Sequence, residues 1–308
     1  MRKVMFTKIL FAFNVSTARD AAAKIAFELA QKYAAELTLL HVFEVPSRGA
    51  SQLMKFHTTG REAEPGPDYV DWIKQKMQTT CADLADKYAT PVYAAKAGIP
   101  STEILGLARD MDADCIIMGT HARQDDTAAE RFRGIVGNTT QNVAQQAKCP
   151  VMIISRPCET SFWYFNQIIF GTDFSKASLA AFQFAYKMAR HIGCKLHLFH
   201  ALDMQVSQAG IPPGQKFIET RIAEAKAEIQ EQYVSLMDNF DNFEITVWEG
   251  IPYVELLKYA REISGDLIVM AHHTRELAPD EALFGSTVEQ VVLRSACPVV
   301  TVKRPDNF

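Results

Sequence analysis

The sequence contains no long hydrophobic segment, no run of five or more Lys and Arg residues and no CxxC cysteine pair. Because a membrane-spanning helix needs about 18 or more largely apolar residues in a row, we expect no membrane partner. The 32 Lys and Arg residues are outnumbered by 36 Asp and Glu residues, which leaves a formal net charge of -4. A nucleic-acid-binding protein usually carries a basic patch, so we expect no nucleic acid partner either.

The cysteines also lack the spacing of a metal site or a disulfide framework. Six of them are scattered along the chain, at positions 81, 115, 149, 158, 194 and 297, and none forms a CxxC pair. The basic start, MRKVMFTKILFAFNVS, reaches Asn14 without a small-residue cleavage site and is typical of a first strand. We therefore predict a cytoplasmic protein with reduced cysteines.

Two signatures of catalysis are absent as well. The chain has no GxxxxGK[ST] phosphate-binding loop and no GxSxG nucleophile elbow. The sequence therefore predicts a protein that is not an enzyme, with weak ATP hydrolysis as the alternative from another functional class.

What the chain does contain is an internal repeat. The stretch GIPSTEILGLARDMDADCIIMG, beginning at Gly98, returns as GIPYVELLKYAREISGDLIVMA from Gly250. Cys149-Pro150-Val151 returns in the same way as Cys297-Pro298-Val299. With 308 residues, 48% of them apolar, each copy is long enough for its own core. We predict a first domain at 1–155, a linker at 156–166 and a second domain at 167–308.

Each copy alternates short apolar runs with amphipathic segments, which predicts strands alternating with helices. Strands that are apolar on both faces indicate a parallel sheet covered by helices on both sides. The predicted fold class is therefore α/β, with two open parallel sheets of five strands. The predicted strands are 8–13, 37–43, 92–95, 115–118 and 151–154, then 167–171, 195–201, 245–249, 267–271 and 299–303. The predicted helices are 18–34, 69–88, 101–111 and 139–147, then 176–191, 216–239, 253–263 and 286–294.

Several short motifs together resemble the universal stress protein family in its tandem form. They are the Gly171-Thr172-Asp173-Phe174-Ser175 turn, the strand ending His200-Ala201, the Gly-Ile-Pro before the third helix, the Asp-Leu-Ile-Val-Met strand, the Gly-Ser before the last helix, and Cys-Pro-Val. The resemblance covers nearly the whole chain. It implies five-stranded α/β units whose last strands, 151–154 and 299–303, pair in an internal pseudo-dimer. A further homodimer is compatible with it.

The resemblance also implies ATP or another adenine nucleotide as a ligand. Many members bind ATP through Gly-x2-Gly-x9-Gly-Ser/Thr and an Asp at the end of the first strand. In the second copy Ala271 and Thr274 replace the two leading glycines, whereas Gly285-Ser286 and Asp173 are present. The candidate ligand-binding residues of this copy are Thr172, Asp173, Ala201, Met270, Ala271, Thr274, Gly285, Ser286 and Thr287.

The first copy departs from the family pattern differently. Gly119 is kept, but Ala122 replaces the second glycine and Asn14 stands where the Asp is expected. The corresponding candidates are Asn14, Val42, Gly119, Ala122, Gly137, Asn138 and Thr139. A β-branched Thr274 suits a left-handed turn poorly, so we expect the turn of the second copy to differ from the family pattern. The first copy lacks the carboxylate.

Each of these features also has a purely structural interpretation. Ser286 with Glu289, and Asn138 with Gln141, have the spacing of a capping box, which closes a helix end without a ligand. Asp173 precedes a helix and is also a capping residue type. The adjacent His272-His273 lacks the spacing of a metal site, so no metal is implied beyond Mg²⁺ accompanying a nucleotide.

The leading functional hypothesis is a cytoplasmic, non-catalytic protein of the stress response. It would bind a small ligand as a sensor or adaptor and act on protein partners that the sequence does not identify. The alternatives are a ligand-free scaffold with decayed sites, for which the losses at Asn14, Ala122, Ala271 and Thr274 are the evidence, and a weak ATPase.

Overall fold

The computed structural model describes residues 5–14, 21–43, 54–55, 62–63, 67–119, 138–155, 165–203, 214–272 and 286–303. By internal contacts the chain divides into a first unit, Met1–Gly119, and a second unit, Thr120–Phe308. The candidate residues Ala122, Gly137, Thr274 and Gly285 lie outside the described residues.

The first unit contains a parallel sheet whose strands follow the order β6-β1-β2-β5. Its strands are β1 (Lys8–Ala12), β2 (Glu36–Phe43), β5 (Val92–Ala97) and β6 (Cys115–Gly119), and its helices are α1 (Ala21–Tyr33), α2 (Pro67–Lys87) and α3 (Pro100–Asp110). Two short strands, β3 (Met54–Lys55) and β4 (Glu62–Ala63), pair with each other in antiparallel fashion. They lie in a stretch with no predicted strand.

The second unit has the strand order β10-β9-β8-β11-β12-β7. Its strands are β7 (Val151–Ile154), β8 (Gln167–Gly171), β9 (Lys195–Leu202), β10 (Phe243–Glu249), β11 (Leu267–Ala271) and β12 (Val299–Val302). Its helices are α4 (Asn138–Gln146), α5 (Lys176–Ile192), α6 (Gln215–Gln232), α7 (Pro252–Glu262) and α8 (Ser286–Arg294). Strands β8 to β12 are mutually parallel where they pair.

Strand β7 is the antiparallel member of this sheet. It pairs with β12, with Ile153 opposite Val299 and Val151 opposite Thr301. The resemblance predicted pairing between these two strands, and the pairing is present. It also joins residues 151–154 to the second unit, although they belong to the first copy of the repeat. The domain boundaries at 155 and 167 remain a prediction.

The central strands are buried on both faces, as the sequence predicts. All five residues of β11 and all four of β7 and of β12 are buried. A strand that is covered on both sides can carry apolar residues throughout, because neither face meets water. Together with the parallel pairing, this confirms the predicted α/β fold class.

An aspartate secures the start of the first strand in each unit. In the first unit Asp114 Oδ2 accepts hydrogen bonds from the backbone N–H groups of Thr7 and Lys8, at 2.6 and 2.8 Å. In the second unit Asp266 Oδ2 accepts from the backbone N–H groups of Asn166 and Gln167, at 2.8 and 3.0 Å. The aspartate of the repeated strand motif therefore has a structural role in both copies.

Helix α6 differs from its predicted extent. The apolar spacing predicted a helix over 216–239, but α6 ends at Gln232 and a short 3₁₀ helix follows at Val234–Leu236. Tyr233 is 1% exposed, and its ring packs against Phe170 and Phe182. Leu236, which continues the apolar spacing of the helix beyond Tyr233, is exposed.

Candidate functional site

The strand order of the second unit creates a place where a ligand can enter. Strand β8 lies between β9 and β11, so the chain leaves β8 on one side and later returns on the other. In open α/β sheets, ligands bind beyond the carboxyl ends of the strands at such a reversal of strand order. Gly171, the last residue of β8, is level with Phe199 of β9 and Met270 of β11. The carboxyl ends of these three strands therefore meet.

Five predicted site residues of the second copy lie at these strand ends. Thr172 and Asp173 follow β8, Ala201 is on β9, and Met270 and Ala271 end β11. Ser286 and Thr287 begin α8, the helix that leads back to the start of parallel strand β12. Because of this connection, the N-terminus of α8 faces the carboxyl-terminal end of the sheet.

Thr172 is held from three directions. Its backbone N–H donates to the carbonyl of Phe199 at 2.9 Å, which extends the β8–β9 pairing by one residue. Its hydroxyl lies 2.7 Å from the hydroxyl of Tyr233 and accepts from the N–H of Phe174 at 3.0 Å. Burial raises the pKa of Tyr233, so this phenol stays protonated and available for hydrogen bonding.

Asp173 is exposed and bonded to the helix that follows it. Its Oδ1 accepts from the backbone N–H of Ser175 at 3.0 Å and from the hydroxyl of Ser178 at 2.7 Å. Ser175 is the N-cap of α5, with its side chain accepting from the N–H of Ser178. The structural role considered for Asp173 is therefore observed: its carboxylate stabilises the first turn of α5, where the helix dipole favours negative charge.

Phe174 adds an aromatic surface that the sequence analysis did not assign to the site. Its φ of 60° is unusual for a large side chain, because the left-handed region crowds the Cβ atom. In this conformation its ring lies 4.4 Å from the His200 ring and stacks on Tyr233 at 6.5 Å. Strained residues of this kind concentrate at functional sites.

A histidine on the second strand holds the end of the first strand in both units. His200 Nδ1 donates to the carbonyl of Thr172 at 2.8 Å, and His41 Nδ1 donates to the carbonyl of Phe13 at 3.1 Å. The sequence analysis included His200 in the family resemblance but assigned it no role. The sequence does contain one indication of a shared role, because His41-Val42 in the first copy occupies the same position as His200-Ala201 in the second.

Burial lowers the pKa of His200, against the opposing effects of the Thr172 carbonyl, Glu228 and Asp173. The ring is therefore neutral near pH 7, with its proton on Nδ1, since a carbonyl can only accept. This protonation state leaves Nε2 as a hydrogen-bond acceptor beside the Asp173 turn.

The first unit brings together three of its candidates. Ala12 of β1 is level with Leu40 of β2 and Met118 of β6. Asn14, Val42 and Gly119 therefore lie at the carboxyl ends of these adjacent strands. Asn138 and Thr139 begin α4, which groups with the second unit.

A metal centre finds no support among the described residues, which contain no group of three or more His, Cys, Asp or Glu side chains suited to hold an ion. His272 is 1% exposed at the end of β11, and its backbone N–H donates to the carbonyl of Val302. His273 lies outside the described residues. Within the described ranges, no helix has the length and apolar character required to cross a membrane.

The chain was compared with known families and curated proteins. The model of the universal stress protein family matches residues 5–155 and, separately, 165–303. Universal stress protein MJ0577 of Methanocaldococcus jannaschii is 29% identical over 163 residues, covering 50% of this chain and 97% of the relative. Universal stress protein MJ0531 of the same organism is 26% identical over 164 residues, covering 50% and 84%.

Solved structures extend the likeness to the full length of the chain. A universal stress protein from Archaeoglobus fulgidus is 20% identical with a TM-score of 0.63, covering 98% of this chain and 97% of that one. A Pseudomonas aeruginosa protein described as a putative universal stress protein is 19% identical with a TM-score of 0.62, covering 99% and 96%. At these identities the likeness establishes the fold.

Proposed function

Because the chain belongs to the universal stress protein family, we propose that it binds an adenine nucleotide in its second unit and acts as a non-catalytic sensor or adaptor. The proposed setting is the stress response in the cytoplasm. ATP is the first ligand to test, with Mg²⁺ present only as the companion of its phosphates.

The observation that carries this proposal is the position of Asp173. Its turn lies at the end of β8, between the ends of β9 and β11, where open α/β sheets accept ligands. An exposed carboxylate there is suited to accept hydrogen bonds from ribose hydroxyls. One of its oxygens is held by Ser175 and Ser178, which orients the group without removing its charge.

The N-terminus of α8 is the proposed binding site for the phosphates of the nucleotide. Helix α8 begins at Ser286, and an N-terminus of this kind offers backbone N–H groups and a positive dipole end to an anion. Thr287 adds a hydroxyl in the same turn. Whether Ser286 and Glu289 also form the predicted capping box stays a prediction, and both roles can share one helix end.

One departure from the family pattern is compatible with binding. Ala271 replaces a glycine of the pattern, yet it lies in the last position of β11 and is not among the residues with positive φ. Alanine is therefore accommodated there without backbone strain. Thr274, the second departure, lies outside the described residues.

The second unit is the better candidate of the two. It has Asp173 where the first unit has Asn14, so only the second offers a charged acceptor at the end of its first strand. An adaptor role further requires that the nucleotide bind one conformation of the protein more tightly than another. A ligand with equal affinity for two conformations does not change the equilibrium between them.

The proposal is tested by denaturing freshly purified protein and identifying any released small molecule by mass spectrometry. Equilibrium dialysis with ATP on the same preparation, with phosphate release measured in parallel, completes the test. We expect saturable binding of about one ATP per chain without turnover. Turnover above the background rate would favour the weak ATPase, and no binding of ATP, ADP or AMP would favour the ligand-free scaffold.

A further inference from the structure

Three buried hydroxyl groups adjoin the exposed Asp173 carboxylate. They belong to Thr172, Ser178 and Tyr233, which are 8%, 1% and 1% exposed. The Tyr233 hydroxyl lies 2.7 Å from Thr172 Oγ1. Burial raises the pKa of Tyr233, and hydrogen bonding with Thr172 and Ser178 opposes this rise. Ser178 in turn donates to Asp173 Oδ1 at 2.7 Å. This hydroxyl cluster therefore connects the core of the second unit to Asp173.

Tyr233 enters the hydroxyl cluster from a different element than the other two residues. It directly follows α6, whereas Thr172 follows β8 and Ser178 lies in the first turn of α5. Its ring packs edge-on against Phe170 of β8, with the ring centroids 5.1 Å apart. A close-packed core side chain is held in one rotamer by its neighbours. The Tyr233 hydroxyl is therefore a fixed point to which the turn after β8 is attached.

The turn that carries Asp173 is strained and has to be held. Phe174 has a φ of 60°, a left-handed conformation that crowds the Cβ atom of a large side chain. Such a conformation persists only where the surrounding contacts impose it. Thr172 Oγ1 accepts from the N–H of Phe174 at 3.0 Å. The Phe174 ring also lies nearly parallel to the Tyr233 ring, with 6.5 Å between the centroids. Tyr233 thus contacts the turn both directly and through Thr172.

The first copy of the repeat replaces these side chains together. The positions of Thr172, Asp173 and Ser178 are taken there by Phe13, Asn14 and Arg19. The Phe13 ring packs edge-on against Phe11, the counterpart of Phe170, with the centroids 5.8 Å apart. In the first unit the strand itself therefore supplies a ring where the second unit has the Thr172–Tyr233 pair. The Thr172 and Ser178 hydroxyls accompany the aspartate in one copy and are replaced along with it in the other.

We propose that Tyr233 is a positioning residue for the nucleotide. By holding Thr172 and Ser178, its hydroxyl keeps the Asp173 carboxylate in one orientation. This inference rests on the proposed nucleotide site, and it identifies a residue outside that site which sets its affinity. A carboxylate that is held in place before the ligand arrives binds more tightly than one that must be ordered during binding. Tyr233 acts through the turn and does not itself contact the nucleotide.

The test removes the Tyr233 hydroxyl and keeps its ring. Tyr233→Phe is compared with Tyr259→Phe, a matched control on α7. Tyr259 is 3% exposed, and its hydroxyl is bonded to His197 and Thr246. None of its described contacts involves the Asp173 turn. Both changes delete one buried, bonded hydroxyl, so both should lower the free energy of unfolding in urea by a similar amount.

Two measurements are made on each protein: a calorimetric titration with ATP in the presence of Mg²⁺, and amide hydrogen exchange without nucleotide. We expect Tyr233→Phe to bind ATP about fivefold more weakly than the unchanged protein, which is the loss expected for one hydrogen bond. The N–H groups of Phe174 and Ser175, which are bonded within the turn, should exchange faster in this variant. Tyr259→Phe should match the unchanged protein in ATP affinity and in exchange at both positions.

The outcomes separate this inference from the proposed function. If ATP binds the unchanged protein and Tyr233→Phe equally well, or if both variants weaken binding alike, the positioning role is wrong while the nucleotide site stands. Unchanged exchange at Phe174 and Ser175 in Tyr233→Phe would also overturn the positioning role. If the unchanged protein binds no ATP, the proposed function fails, and the positioning role fails with it.

Discussion

At the scale of single residues, the two copies share structural side chains and differ in the ones assigned to ligands. Asp114 and Asp266 hold the start of the first strand, and His41 and His200 hold its end. The residue after that end differs, with Asn14 in one copy and Asp173 in the other. The shared residues therefore have structural roles in both units, and the difference at Asn14 and Asp173 lies at the proposed ligand site.

A substitution of Asp266 directly tests the structural role of the side chains that both copies share. Asp266 is 8% exposed, and removing its carboxylate leaves the N–H groups of Asn166 and Gln167 without their acceptor. We expect Asp266→Ala to lower the free energy of unfolding by about 1–3 kcal/mol, because a hydrogen bond to a charged group contributes roughly 1.5–3 kcal/mol and water can reach the exposed Asn166 once the carboxylate is gone. Urea unfolding measures this, with exposed Asp238→Ala as the control. An equal effect of both variants would contradict the role.

His197 predicts a pH dependence of stability. It is 2% exposed, and burial lowers its pKa to about 4. Its Nδ1 accepts from the Tyr259 hydroxyl at 2.6 Å, while Nε2 donates to Gln167 Oε1. The folded state therefore keeps the ring neutral at a pH where the unfolded chain binds a proton.

The pKa of His197 in the folded protein lies below its value near 6.5 in the unfolded chain. The neutral ring therefore contributes its full stabilisation above about pH 6.5, and this stabilisation is lost as the pH falls toward 4. The loss amounts to roughly 3 kcal/mol at the lower end. Urea unfolding at several pH values checks this, with His197→Gln as comparison. A variant that shows the same pH slope as the unchanged protein would contradict the assignment.

At the scale of helices and strands, apolar periodicity predicted much of the structure. The strands 151–154 and 167–171 and the helix 286–294 have the predicted bounds, because Gly, Pro or polar residues mark both ends of a continuous apolar or amphipathic segment. The end of α6 was not predictable in this way. Its spacing continues past Gln232, and only the packing of Tyr233 against Phe170 shows where the helix stops.

The apolar positions of α6 also differ in importance. Ile229 is fully buried, whereas Phe217 is 57% exposed, although the spacing of both residues fits one apolar face of the helix. We expect Ile229→Ala to lower the free energy of unfolding by about 2–5 kcal/mol and Phe217→Ala to change it by about 0.5 kcal/mol or less. Urea unfolding of the two variants compares them. A Phe217→Ala cost equal to that of Ile229→Ala would mean that the first turn of α6 is packed against the core.

The candidate site was predictable in its location and not in its contacts. The ends of β8, β9 and β11 meet because parallel strands place their carboxyl ends on one side, and this follows from the pattern of elements. The sequence does not show that Asp173 bonds Ser175 and Ser178, or that Phe174 takes a positive φ. These features depend on side-chain geometry at a single turn, where several residue types are compatible with the same pattern.

At the scale of the whole molecule, the chain is a duplicated unit whose copies have diverged. The family model matches both segments, so the tandem arrangement predicted from the repeat is confirmed. The second copy has Asp173, the carboxylate of the proposed nucleotide site, and the first copy has Asn14 at the corresponding place. This difference supports the proposal that the nucleotide binds in the second unit.

The central claim is that Asp173 contributes its charge to nucleotide binding, and one calorimetric comparison tests it. The protein and its Asp173→Asn variant are titrated with ATP in the presence of Mg²⁺. Asparagine keeps an acceptor oxygen for Ser175 and Ser178, so the turn is retained while the charge is removed. The account predicts that ATP binds the unchanged protein and binds the variant about fivefold to tenfold more weakly, through loss of a charge-assisted hydrogen bond. Equal affinities, or no binding to either protein, would contradict it.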